Sequence, residues 1–103
     1  MGAFTDLGGG THLVSVSPRA NRTIEEVRDV LLDEIVARLK AGPFRAGNII
    51  RAEVFADVAK DDRLILLFEV DIATSPSLRE GLAAVEMVAK TRIIASVVSV
   101  TPP

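Results

Sequence analysis

Three side chains of this sequence are suited to moving protons on a bound molecule: His12, Glu53 and Glu69. His12 is the only histidine, and histidine is the residue type that gains or loses its charge near neutral pH. The two glutamates fall at matching positions of neighbouring predicted strands, and paired carboxylates in different surroundings can divide the roles of acid and base. We therefore predict these three residues as the catalytic set, with a carboxylate orienting the imidazole.

Each of these residues also has a purely structural interpretation. His12 follows a run of three glycines, so it could be an exposed histidine at the beginning of a strand. The two glutamates could instead form ion pairs across a subunit interface with an arginine, either Arg51 or Arg92. Charge pairs of that kind commonly fix the register and the choice of partner.

Other kinds of catalytic centre find little support in the residue types. The chain has no cysteine and a single histidine, so we predict no thiol chemistry, no metal site and no cofactor. A nucleophilic serine is not expected either, because no His–Asp arrangement adjoins any candidate serine in the sequence. The serines considered are Ser15, Ser17, Ser96 and Ser99.

Two short loops carry arginine and asparagine, at residues 19–22 and 45–48. Basic groups near the beginning of a helix can hold an anionic ligand. The structural alternative is that these arginines are solvated, as loop arginines usually are.

Composition limits the kind of partner the chain can have. It has 103 residues with 12 basic and 14 acidic side chains, a net charge of −2, and lacks the clustered basic surface that nucleic acids require. No apolar stretch approaches the roughly 20 residues of a membrane span, and the N-terminus does not resemble a signal peptide. We predict a cytoplasmic protein that binds neither nucleic acid nor membrane.

The spacing of apolar residues predicts a β-α-β-β-α-β order that nearly fills the chain. We expect residues 1–10 to be a flexible arm and residues 11–103 to form one α+β domain with a four-stranded antiparallel sheet. The predicted strands are residues 12–17, 49–58, 64–72 and 93–101.

Local signals mark the helices and one turn. A capping box at Thr23–Glu26 begins the first helix, in which Thr23 accepts a backbone N–H and Glu26 reaches back, and Gly42–Pro43 ends it. The second helix begins at Pro76 or at Ser77. Between the second and third strands, Asp61–Asp62 predicts a hairpin turn.

Alternation along the strands divides their residues between two faces of the sheet. The apolar face is expected under the helices and holds Val14, Val16, Ile50, Ala52, Val54, Ala56, Val58, Leu64, Leu66, Phe68, Val70 and Ile72, with His12 at its end. The mixed face holds Leu13, Ser15, Ser17, Ile49, Arg51, Glu53, Phe55, Asp57, Ile65, Leu67, Glu69, Asp71, Ala95, Val97 and Ser99. Burying the mixed face's charges would cost several kcal/mol each unless they are paired or a cavity stays wet. The pattern therefore predicts a homodimer whose two sheets enclose a polar-lined pocket.

The chain resembles the dimeric α+β barrel superfamily of ferredoxin-like folds. The resemblance rests on the order and spacing of elements over residues 11–101, without a family-specific motif. The segments that carry it are Thr11–Val14, Lys40–Gly42, Glu53–Phe68 and Ile93–Val100. The resemblance implies a homodimer with a ligand cavity within the barrel or between sheet and helices, and members that include cofactor-free monooxygenases, cyclases, isomerases and tailoring proteins of secondary metabolism.

Residues and resemblance together favour a small cofactor-independent enzyme that acts by proton transfer on a largely apolar, aromatic or polyketide-like metabolite. Cyclisation, isomerisation, dehydration and oxygenation all fit this expectation. The predicted substrate-binding residues are Arg51, Phe55, Leu67, Ser15, Asp71 and Arg92. The alternative is a non-catalytic dimeric module that binds a metabolite or a protein.

Overall fold

The computed structural model describes residues 7–37, 49–73 and 76–98 as an α+β fold with one four-stranded antiparallel sheet. Its elements follow the predicted β-α-β-β-α-β order, and neighbours in the sheet run β2-β3-β1-β4. Among the described residues, no helix is long and apolar enough to cross a membrane. The elements are β1 (Gly8–Pro18), α1 (Ile24–Leu31) continued by a π-helical segment (Leu32–Val36), β2 (Ile49–Ala56), β3 (Leu64–Ala73), α2 (Pro76–Val88) and β4 (Ala89–Val98).

Both helices pack on one face of the sheet, and the core lies between the two layers. The residues that contribute most are spaced three or four apart in the helices and two apart in β3, as the sequence predicts. They include Val27, Leu31 and Ile35 from the first helix, Leu78, Leu82 and Val85 from α2, and Leu64, Leu66, Phe68 and Val70 from β3, all buried. Each such side chain contributes about 1.5–3 kcal/mol by leaving water.

Helix α1 begins at the predicted cap, but only half of the capping box forms. The Thr23 hydroxyl accepts a hydrogen bond from the Glu26 backbone N–H at 3.1 Å. The Glu26 carboxylate does not reach back; it binds the Arg22 guanidinium at 2.5 Å. The predicted end of this helix at Gly42–Pro43 lies outside the described residues.

The hairpin between β2 and β3 is organised by Asp57 more than by the predicted Asp61–Asp62 pair. Its carboxylate accepts the Ala59 backbone N–H at 2.9 Å and the Arg63 Nε–H at 2.6 Å. These hydrogen bonds, the one from Ala59 first, hold the pKa of Asp57 below its usual 3.8. The carboxylate is therefore favoured in its charged form in the folded hairpin.

Two β-bulges correct the predicted assignment of residues to faces. An extra residue in β2 falls at Ile50, so that Ile49 is 1 % exposed in the core while Ile50 is 51 % exposed. The prediction is therefore wrong for both residues, since it placed Ile50 on the apolar face and Ile49 on the mixed face. A second extra residue, Ile94 in β4, is 45 % exposed and shifts the phase of that strand.

Helix α2 and β4 join without an intervening loop. Pro76 occupies the first helical position, which confirms one of the two predicted beginnings. Ala89 is buried and begins β4, whereas the sequence predicted this strand from residue 93. Arg19 holds this junction: its backbone N–H donates to the Val88 carbonyl at 3.0 Å, and its Nε–H donates to the Glu86 carbonyl at 2.7 Å.

Candidate functional site

The face of the sheet turned away from the helices is not covered by any of the described residues, and it is called the open face below. Residues that lie directly opposite each other on paired strands project to the same side, so the register builds rows across this face. The first row is Arg51, Glu69, Thr11 and Val97; the second is Glu53, Leu67, Leu13 and Ala95; the third is Phe55, Ile65, Ser15 and Arg92. All nine predicted site residues are on β-strands of this sheet, and seven of them belong to these three rows.

The centre of the open face is apolar. Leu13, Ile65 and Leu67 are partly buried by their neighbours along and across the strands, and Ser15 is buried at 6 % exposure. At the two edges, Phe55 is 46 % exposed and Val97 is 72 % exposed. The face is thus a continuous apolar strip with exposed apolar ends.

Charged groups border this strip at one end. Arg51 and Glu53 alternate on β2 and form an ion pair, with Nε to Oε2 at 2.6 Å and Nη2 to Oε2 at 2.5 Å. The two side chains are 56 % and 42 % exposed, so water screens the pair and its net contribution to stability is about 0–1 kcal/mol. Glu53 therefore has an arginine as its partner, but the pair forms within one subunit and not across a subunit interface as the structural interpretation expects.

Glu69 lies directly opposite Arg51 in the first row and is partly buried. It makes no hydrogen bond or ion pair with any of the described residues, because Arg51 is directed to Glu53. Among the carboxylates of the three rows, Glu69 is therefore the one available to a bound molecule.

Two further predicted site residues lie toward the ends of the face. Asp71 is exposed, in the irregular stretch of β3 where the pairing with β1 slips between Gly8 and Gly10. Arg92 is exposed and lies opposite Ser15 in the third row. The bulge at Ile94 places Arg92 on the same side as Ala95, which simple alternation along β4 would not do.

His12 lies on the other side of the sheet from both glutamates. It alternates with Thr11 and Leu13, so its side chain points toward the helices and is 2 % exposed. Its Nδ1 lies 2.8 Å from the Ser96 Oγ, its Nε2 lies 2.8 Å from the Gly8 carbonyl oxygen, and its ring centroid lies 5.5 Å from that of Phe68. The structure therefore brings Arg51, Glu53 and Glu69 together but does not bring His12 to them.

The Ser96 contact was missed by sequence reasoning. Ser96 and His12 are 84 residues apart, and their meeting depends on the β1–β4 register, which the bulge at Ile94 displaces by one residue. Ser15 and Ser17 have no histidine beside them, and Ser99 lies outside the described residues.

The loop after β1 does not form an anion site. Residues 18–22, with Ile24, Asp61 and Asp62, line an open hollow of about 460 Å³. Both of its arginines are already bound, Arg19 to the Glu86 carbonyl and Arg22 to Glu26. The two aspartates would moreover repel an anion. The other basic loop, residues 45–48, lies outside the described residues.

The part of the chain that the structure describes contains no group of three histidine, aspartate or glutamate side chains placed to hold a metal ion. Searches of protein-family models and of curated proteins found no match. A similar solved structure is a conserved protein of unknown function from Bacteroides thetaiotaomicron, labelled "Possible Oxidoreductase". The TM-score is 0.59 at 12 % identity, over 84 % of this chain and 95 % of that one. This likeness supports the small α+β fold.

Proposed function

We propose that this chain is a small enzyme that forms a homodimer through the open face and transfers protons on a largely apolar metabolite held between the two sheets. In this proposal the subunit is ferredoxin-like and the pair forms a dimeric α+β barrel. The observation that carries it is the apolar strip of the open face, bordered by Glu69 and by the Arg51–Glu53 ion pair.

The exposed apolar groups support a covering partner. Contiguous apolar patches larger than a few hundred Å² are uncommon on monomers and generally mark a binding surface. Phe55 and Val97 stand at opposite edges of the strip and are 46 % and 72 % exposed in the isolated subunit. A second copy placed sheet to sheet covers both edges and leaves the charged border to line a chamber.

The proposed chemistry begins at Glu69. Its carboxylate takes a proton from a carbon or oxygen of the ligand, and the negative charge left on the ligand is held beside the Arg51 guanidinium in the same row. Returning the proton to another atom gives isomerisation, and loss of a leaving group gives dehydration or cyclisation. Phe55, Leu67 and Ser15 contact the apolar body of the ligand, while Arg92 and Asp71 bind its polar substituents.

The similar protein labelled "Possible Oxidoreductase" keeps cofactor-free oxygenation among the proposed reactions, with the deprotonated ligand as the species that meets oxygen. Proton removal at Glu69 is the first step of this version too. A substitution at Glu69 therefore tests every reaction in this proposal.

Dimer formation is tested with two matched lysine substitutions. Val97 on the open face and Met87 on the outer side of α2 are both largely exposed in the subunit, at 72 % and 74 %. Analytical ultracentrifugation at micromolar concentration should give about twice the 11.0 kDa chain mass for the wild type and for Met87→Lys, and the monomer mass for Val97→Lys. A wild-type protein that sediments at 11 kDa contradicts the proposed dimer.

Proton transfer is tested with 5-nitrobenzisoxazole, an apolar aromatic probe that opens to a coloured phenolate when its C–H proton is removed. Glu69→Gln should slow this reaction by about 10²-fold or more relative to the wild type. Glu80→Gln, an exposed change on α2, should leave the rate unchanged. Equal rates for the wild type and Glu69→Gln rule out the catalytic part and leave the alternative, a dimeric module that binds without reaction.

The Arg51–Glu53 ion pair is the observation that favours this non-catalytic alternative, because both groups already have a partner before any ligand arrives. In a binding module, Glu69→Gln changes only the affinity of the dimer for an apolar probe such as anilinonaphthalene sulfonate. Fluorescence titration of the same two variants measures this change.

A further inference from the structure

His12 and Ser96 form a second arrangement of side chains suited to catalysis, on the side of the sheet away from the open face. They lie directly opposite each other on β1 and β4, with Nδ1 and Oγ at 2.8 Å. The proposed function uses neither of them. A serine hydroxyl within hydrogen-bond reach of an imidazole that is itself oriented by a third group has the arrangement of an activated nucleophile.

The hydrogen bonds of the ring define which nitrogen can act as the base. The Gly8 carbonyl oxygen can only accept, so the His12 Nε2, 2.8 Å away, must carry a hydrogen and donate it. In the neutral imidazole the other nitrogen, Nδ1, then has a free lone pair. It accepts the Ser96 hydroxyl hydrogen, and the serine oxygen is left with its lone pairs directed elsewhere.

Burial differs between the two partners in the way that a nucleophile and its base require. His12 is 2 % exposed, and the Phe68 ring packs beside it with centroids 5.5 Å apart. Ser96 is exposed, on the edge strand of the sheet. The imidazole is therefore held in place and shielded from water, while the hydroxyl can meet a molecule from solution.

The edge position supplies groups that can stabilise an oxyanion. β4 pairs only with β1 in the described sheet, so its outward N–H groups have no strand partner there. The bulge at Ile94 interrupts the ladder two residues before Ser96. Backbone N–H groups beside a nucleophile are the donors that acyl-transfer sites use.

We propose that Ser96 is a nucleophile activated by His12 and that it hydrolyses small carboxylic esters. The Oγ attacks the ester carbonyl carbon while its proton moves to Nδ1, and the ester C–O bond then breaks. The alcohol leaves with that proton. A water molecule then gives a proton to Nδ1 and adds to the acyl carbon, and Ser96 departs as the hydroxyl. The net change is ester plus water to acid plus alcohol, with no oxidant or reductant.

The test uses an alkyl fluorophosphonate, which bonds to activated serines with loss of fluoride, and 4-nitrophenyl acetate, which releases a coloured product. Mass spectrometry should place the phosphonyl group on Ser96, and Ser96→Ala should lose both the label and about 10²-fold or more of the ester hydrolysis. Ser77→Ala, at an exposed serine near the beginning of α2, should behave as the wild type. Labelling that survives in Ser96→Ala overturns the proposal.

A second pair of variants keeps the test independent of any loss of folding. Replacing the exposed Ser96 by cysteine preserves the contact with His12, so Ser96→Cys should react with iodoacetamide at pH 7 at least about tenfold faster than Ala83→Cys, an exposed position in the middle of α2, because a neighbouring imidazole favours the thiolate. Equal rates identify the His12–Ser96 contact as a structural link between strands and overturn the nucleophile. Since both residues lie away from the open face, these results do not depend on the dimer.

Discussion

At the scale of single residues, Asp57 combines several stabilising contacts in one side chain. It closes the β2–β3 turn through the Ala59 N–H and binds Arg63, and its side chain is only 12 % exposed. Both contacts favour the carboxylate over the carboxylic acid and hold the pKa of Asp57 below 3.8. Its contribution to folding is therefore complete above 3.8, where the unfolded chain is also ionised, and is lost as the pH falls through the lowered pKa of the folded state.

Asp57→Asn should consequently be less stable than the wild type at pH 7, and the difference should shrink as the pH falls below 3.8. Urea unfolding at pH 7 and at pH 3 measures it. Asp62→Asn, an exposed change in the same turn, serves as the control. If Asp57→Asn lowers the free energy of unfolding by the same amount at both pH values, the charge on Asp57 does not stabilise the hairpin.

His12 shows what alternation predicts and what it does not. His12 lies two residues before Val14 and four before Val16, so alternation along β1 places all three on the helix face, as the sequence predicts. Its partners are set by the β1–β4 register, and no local pattern reports a register between strands so far apart in the chain. Likewise, the ion pair of Arg51 with Glu53 follows from their spacing of two on one strand, whereas the unpaired state of Glu69 depends on which way Arg51 turns.

At the scale of elements, the two bulges explain where the face assignment fails. Two consecutive isoleucines give no alternation from which their faces could be predicted. Both bulges fall at such a pair, Ile49–Ile50 and Ile93–Ile94. The chain must bury one isoleucine of each pair and expose the other, and a bulge does this at little cost in hydrogen bonds. β3 alternates cleanly between large apolar and mixed residues, so its assignment is confirmed throughout its buried part.

The bulge in β2 leads to a direct comparison of neighbours. Ile49→Ala removes a side chain that is 1 % exposed and should destabilise the fold by about 2–5 kcal/mol. Ile50→Ala removes one that is 51 % exposed and should change stability by about 0.5 kcal/mol or less. Urea unfolding at one fixed protein concentration separates the two. Equal losses would mean that β2 does not contain the bulge.

At the scale of the whole molecule, one sheet serves two distinct surfaces. The helix side holds the buried core, at whose end His12 contacts the exposed Ser96, and the open side presents an apolar strip bordered by Arg51, Glu53 and Glu69, with Arg92 in the third row. The existence of two surfaces can be predicted from the order of elements, because a single sheet with two helices on one side has a second face to account for. What covers that face is a property of the assembly, which the residue pattern of one chain indicates only through its exposed apolar groups.

If two copies meet as proposed, folding and association are linked. The thermal midpoint of the wild type should then rise by a few degrees over a hundredfold increase in concentration, because mass action favours the dimer over unfolded chains. Differential scanning fluorimetry measures this shift. Met87→Lys should show the same dependence, and Val97→Lys should show none. A wild-type midpoint that does not move with concentration argues that the fold is complete as a single subunit.

The loopless joint between α2 and β4 determines where this chain can be extended. Arg19 donates hydrogen bonds to two of the last carbonyls of the helix at that junction, so residues inserted there would break both hydrogen bonds. The β2–β3 hairpin can accept an added group, because Val58 is fully exposed to water at 101 % relative exposure. A fluorophore, affinity tag or surface tether is best attached at Val58, where it leaves both faces of the sheet unobstructed.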